Sequence, residues 1–84
     1  MEQMEQEVHF SINRIRRFGL SSIQEARILL YLSRREAAPR REIARVFDLR
    51  LVEHLATLGL VVCRNGWVEI TVDGQDVLKR CLGV

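Results

Sequence analysis

The chain has 84 residues, 48% of them hydrophobic and 29% charged, with a formal net charge of +2. That is one small domain, whose folding buries roughly 60% of the surface the unfolded chain exposes. No apolar run approaches the ~18 residues of a membrane span. The acidic, polar opening MEQMEQE reads as neither a signal nor a transit peptide. Two cysteines, Cys63 and Cys81, and two distant histidines make neither a disulfide framework nor a metal-ligand spacing. No metal or cofactor is expected, both cysteines are expected to be small core residues, and the expected setting is a reducing cytoplasm.

In chain order, residues 1–18 predict a first helix. Met1, Met4, Val8, Ile15 and Phe18 fall on heptad positions, with Ile12 beside the seam. Acidic residues lead and Arg14, Arg16 and Arg17 close it, which suits the helix dipole. Val8, Phe10 and Ile12 also alternate like a strand, but the length and the polar lead favour a helix. Such a short helix must pack on something. Met4, Val8, Ile12, Ile15 and Phe18 are therefore candidate dimerisation residues, unless the helix folds back over its own domain.

Gly19 ends that helix. Ser22 with Glu25 three residues on predicts a capping box, opening a helix to about Arg35 with Ile23, Ala26, Leu29 and Leu30 inward. Ala38-Pro39 marks a break, with Pro39 expected at the first position of the next helix. Ile43, Ala44, Val46 and Phe47 supply that helix's buried side. Asp48 predicts the cap of a further helix with Leu51, Val52, Leu55 and Leu58 in the core, closed by Gly59. Asn65-Gly66 predicts a type I′ turn joining Val61–Cys63 to Trp67–Ile70. Trp67 is expected to pack across that hairpin. Thr71 predicts the cap of a last helix with Val72, Val77, Leu78 and Leu82 inside, slightly weakened by Gly74. The class is mostly α with a small β-hairpin, an α+β fold.

Twelve of the thirteen basic residues are arginine, and six of these (34, 35, 40, 41, 45 and 50) lie between residues 34 and 50. Arginine pairs with phosphate in bidentate fashion, which lysine cannot do. With Ile43 and Phe47 inward, Arg40, Arg41 and Arg45 face outward, near the helix start and the end of the preceding helix at Arg34 and Arg35. The alternative is a solvated face in which Glu36 and Glu42 make local pairs. On the following helix Arg50, Glu53, His54 and Thr57 are left outside. Arg50 and His54 are candidates for base or phosphate contact, and Glu53 would repel the backbone. His54 also reads as an ordinary solvated or satisfied histidine on a helix surface. Arg64 and Asn65 are the candidate contacts at the hairpin turn. Catalytic motifs are missing: there is no G-x-S-x-G, no Gly-rich phosphate loop and no Cys/His pair at a useful spacing, so an enzyme is not expected.

The stretches GLSSIQEARILLYL (19–32), REIARVF (41–47) and LATLGLVV (55–62) resemble, in order and spacing, the TrmB-like and MarR-like winged helix-turn-helix regulators. The resemblance covers about residues 12–82. It implies a winged helix-turn-helix domain over 19–84 preceded by the 1–18 helix, and a homodimeric transcriptional regulator that binds double-stranded DNA. Its candidate DNA contacts are Arg34, Arg35, Arg40, Arg41, Arg45, Arg50, His54, Arg64 and Asn65. The chain departs from the pattern within 39–62, which is shorter by about one helical turn, ~5 residues. The trimmed part is the start of the recognition helix, which meets base edges. A winged-helix module that binds a protein partner rather than DNA is the alternative.

Overall fold

The computed structural model describes residues 12–82. Among these residues the chain forms five helices and one three-stranded antiparallel sheet, an α+β arrangement. The elements are α1 (Ile12–Arg17), α2 (Ile23–Arg35), β1 (Ala37–Pro39), α3 (Arg40–Ala44), α4 (Leu49–Thr57), β2 (Val61–Arg64), β3 (Trp67–Ile70) and α5 (Val72–Cys81). The earlier part of the expected first helix, with Met4 and Val8, lies outside the described residues.

Helix α2 is the centre of the packing and touches α1, α4, α5, β1 and β3. Glu25, Ala26, Ile28, Leu29 and Leu32 are all buried along it. Spacings of one, three, four and seven residues make a broad inward stripe, as a helix covered on several sides requires. Ile15 of α1 is 1% exposed and joins this core, Phe18 packs at its edge, and Ile12 is 44% exposed. Within the single chain, Ile15 is thus already spent on α1 packing against α2 and α5.

The end of α2 differs from expectation in one respect. Glu36 takes a left-handed φ of 70° and its N–H bonds Leu32 O at 2.5 Å. The three residues after it do not form a loop but strand β1, which pairs with β3 in the register Ala37–Glu69, Ala38–Val68 and Pro39–Trp67. The expected two-stranded hairpin is therefore the larger part of a sheet ordered β1-β3-β2. Pro39 is the N-cap of α3, one place before the first helical position expected for it. Its missing N–H is tolerated on an edge strand.

Helix α3 has only five residues, so it turns one face inward once. Ile43 is buried and Phe47, four residues on, is half-buried. Ala44 is exposed and Val46 is 65% exposed, contrary to the expectation that both face inward. On α4, Val52 and Leu55 are buried and Leu51 is half-buried. Leu58, expected in the core, is 37% exposed and lies over Gly19.

The hairpin forms as expected. Asn65 and Gly66 both have positive φ (52° and 80°), the conformation a type I′ turn demands. Inner residues Val61, Val68 and Ile70 enter the core. Cys63 is exposed near the end of edge strand β2, and only Cys81 is a core cysteine; both are free thiols. Burial pushes the Cys81 thiol up from its ordinary pKa.

On α5 the inward set is Gly74, Leu78 and Cys81, with Val77 and Leu82 packed beside it. Val72 is 84% exposed, because it occupies the first helical position after the cap, before the inward stripe begins.

Two N-caps behave differently. Thr71 Oγ1 accepts from Gly74 N at 2.9 Å and donates to Gly59 O at 2.8 Å. Ser22 sits at the N-cap of α2 but makes no side-chain cap bond, and its Oγ is buried without a partner among the described residues. In place of the predicted capping box, the Glu25 carboxylate accepts from Ser21 N and Ser21 Oγ. Thr71→Ala is therefore expected to cost about 1–2 kcal/mol, whereas Ser22→Ala costs less than about 0.5 kcal/mol. Urea unfolding of the two variants checks this, and equal losses would refute it.

Candidate functional site

Pairing of β1 with β3 brings the start of α3 against the hairpin turn. Arg40 N donates to Gly66 O at 2.7 Å. The first N–H of α3 is thereby used inside the protein, and the turn is held at a fixed place beside the α3 arginines.

Around this joint lies an open depression of about 480 Å³, lined by Pro39, Arg40, Arg41, Asn65, Gly66 and Trp67. No acidic residue lines it. On the far side of Trp67 a second depression, of about 220 Å³, is lined by Ala37, Arg64, Asn65, Trp67 and Glu69. Trp67 stands between the two and is 51% exposed. Its strand neighbours across the sheet are Pro39 on β1 and Arg64 on β2. Pro39 and Arg64 flank Trp67 in register, and the residue remains half exposed.

The arginines divide into two groups by their partners. Arg40 Nη2 lies 3.3 Å from Glu53 Oε2, linking α3 to α4. Arg50 folds back on the α4 cap: Nη2 reaches Asp48 Oδ2 at 2.7 Å, while Nε lies 3.2 Å from each carboxylate oxygen. Asp48 also accepts from Arg50 N at 2.9 Å. These side-chain and backbone bonds hold the Asp48 carboxyl below its ordinary pKa. Arg35 lies 3.9 Å over the Tyr31 ring, with Nε 3.8 Å from Glu42 Oε2. Tyr31 donates its hydroxyl to Glu42, which raises the phenol's pKa, and meets Phe47 edge-on with centroids 5.8 Å apart. Arg35 therefore belongs to an α2–α3 joint. Arg64 is only loosely placed, 4.0 Å from Glu69.

Arg34, Arg41 and Arg45 are exposed and have no ion-pair partner among the described residues. Of the candidate contacts, the structure gathers Arg40, Arg41 and Asn65 at one depression and Arg64 and Asn65 at the other. Arg34 lines neither.

His54 is a satisfied histidine, half-exposed on α4 and partnered through one ring nitrogen. Its Nδ1 contacts Glu25 Oε2, and Glu25 is fully buried. The other carboxylate oxygen accepts from Ser21 N at 2.5 Å and Ser21 Oγ at 2.9 Å. With Nδ1 engaged, only Nε2 of this half-exposed ring is available to an outside partner. Ser21 and His54 both address the carboxylate rather than each other, so no serine is activated by an imidazole here.

Sequence reasoning overlooked Trp67 as a surface feature and Glu25 as a buried joint. Glu25 had a local signal, its place in the first turn of α2. Trp67 had none, because its exposure depends on Pro39 and Arg64 arriving from two other strands. Among the described residues no group of three or more His, Cys, Asp or Glu side chains gathers at metal-binding distance, and no helix is long and apolar enough to cross a membrane. No family model, curated protein or solved structure matches the chain.

Proposed function

We propose that the chain is a winged helix-turn-helix protein that binds double-stranded DNA, acting as a small homodimeric transcriptional regulator in the cytoplasm. The order of elements supports the fold reading: α3 and α4 are joined by the four residues 45–48 and followed by a hairpin, and helix-turn-helix units use turns of about 3–4 residues. The observation that carries the DNA reading is the unbalanced positive charge of Arg41 at the acid-free depression beside the hairpin turn, with the exposed, unpaired Arg45 four residues further along the chain. Unpaired guanidinium groups on an exposed surface suit phosphate contact, which positions a duplex without reading it.

Helix α4 supports gripping more than reading. It has nine residues; its outward Arg50 is answered by Asp48, and its Glu53 answers Arg40 of α3. The same neutralisation favours the second reading, a winged-helix module whose α4 face binds a protein. Homodimerisation rests on the heptad pattern of residues 1–18.

The test is duplex binding by fluorescence anisotropy between about 50 and about 200 mM salt. Each phosphate contact contributes about −0.9 to the slope of log affinity against log salt. Arg41→Ala/Arg45→Ala should flatten that slope by about 1.8 and weaken binding to all duplex sequences alike. No wild-type binding at low salt, or an unchanged slope in the double variant, removes the DNA reading and leaves the protein-binding one. Sedimentation of the chain with and without residues 1–17 reports on the dimer.

A further inference from the structure

We infer that Trp67 and Arg41 form a stacking site for an unpaired nucleotide, so that the protein prefers DNA in which a duplex borders a single strand. This deepens, and rests on, the DNA-binding reading. Trp67 is 51% exposed, and the depression it walls with the start of α3 carries Arg40, Arg41 and Asn65 with no acid. Arg41 has no ion-pair partner among the described residues, so its charge is available to a phosphate. An aromatic face beside an unbalanced guanidinium matches the two halves of a nucleotide: base on indole, phosphate on arginine.

The platform is also rigid. Trp67 is the middle position of a row across the sheet, between Pro39 and Arg64, and Arg40 N to Gly66 O locks the adjoining turn to α3. A prearranged site loses little conformational freedom on binding. In a duplex both faces of each internal base are covered by its neighbours. An indole on a sheet therefore gains a partner only at a duplex end or where a base is unpaired, and an unpaired base can also turn its phosphate to Arg41. The depression on the other side of Trp67 contains Glu69, which disfavours phosphate there and gives the nucleotide one side to enter from. An acidic peptide would meet the same charge but has no planar ring to offer the indole.

Trp67 is the single tryptophan of the chain, so its fluorescence reports directly on the site. The experiment compares a blunt duplex, the same duplex with a short oligo-dT overhang, oligo-dT alone and a poly-Glu peptide. The overhang is expected to tighten binding about tenfold, the gain from stacking about one base, and to quench the emission, as oligo-dT alone does. Trp67→Ala, followed by anisotropy of labelled DNA, should remove the overhang preference and keep blunt-duplex binding. Trp67→Phe should retain part of the preference, and a preserved melting temperature certifies both folds. An overhang that brings no gain, a gain that survives Trp67→Ala, or equal quenching by poly-Glu overturns the inference. Quenching by oligo-dT without any blunt-duplex binding would instead remove the duplex reading and leave this site standing.

Discussion

Replacing Gly74 by alanine is expected to destabilise the fold by about 3 kcal/mol or more, the upper part of the range for overpacked sites. In an exposed helix interior the same change would stabilise by about 1 kcal/mol. Packing reverses the sign. A Cβ on Gly74 would lie 2.1 Å from Leu60 O, 2.8 Å from Ile70 Cγ1 and 3.1 Å from Leu60 C. The nearest of these is backbone, so it cannot swing away like a side-chain tip. Leu60 is held on both sides, its N–H bonded to Leu55 O and its O accepting from Thr71 N, each at 3.0 Å. Relief therefore requires α5 to lift from the base of the hairpin. For a domain of this size a loss of 3 kcal/mol lowers the melting temperature by about 12–24 °C. Gln75→Ala, one residue on and exposed, should stay within about 0.5 kcal/mol of the parent. A Gly74→Ala protein that melts at or above the parent temperature contradicts the close approach.

Gly74 illustrates what local signals reveal and what they hide. The helix boundaries around Gly19, Asp48, Gly59 and Thr71, and the hairpin at Asn65-Gly66, follow from residues a few positions apart acting on one another. All were legible, because capping and positive φ are local chemistry. Strand β1 was not. Three residues, Ala37 to Pro39, carry no alternation worth reading, and they become a strand only because β3 arrives beside them. Gly74 looked like a weak helix residue for the same reason, since Leu60 stands behind it only in three dimensions. The arginines were legible as a cluster, but not which of them have acidic partners. That depends on Glu53 reaching α3 and on Tyr31 and Glu42 holding Arg35. Cys63 and Val72 were misread as inward because hydrophobicity records a preference for burial, while strand edges and first helical positions leave some such residues outside.

The joint between α2 and α4 should show the other large effect. His54→Ala is expected to cost about 2–4 kcal/mol, somewhat less than the ~3–5 kcal/mol of breaking a fully buried pair, because water can reach the vacated position. Glu25 is 0% exposed and its carboxylate has three donors: Ser21 N, Ser21 Oγ and His54 Nδ1. It also sits in the first turn of α2, where the helix dipole favours negative charge. Removing the imidazole leaves a desolvated carboxylate with two donors from one residue. Glu25→Gln keeps an oxygen for Ser21 but abolishes the charge facing His54, and about half the loss is expected. Since both substitutions destroy one shared interaction, the double variant should be less destabilised than the sum of the two, by about 1 kcal/mol or more. That coupling should largely persist in about 1 M salt, because a partly buried pair with its carboxylate fully enclosed is screened less than an exposed one. The exposed Arg40–Glu53 pair is the contrast: Glu53→Ala should change stability by no more than about 0.5 kcal/mol. Urea titrations of the parent and these four variants at two salt concentrations test this directly. Strict additivity, or a His54→Ala loss as small as that of Glu53→Ala, would reduce Glu25–His54 to an ordinary surface contact. If the coupling is found, α4 is anchored to α2 through its own outward histidine. The orientation of Arg50 and Glu53 toward any partner then depends on a buried acid one helix away.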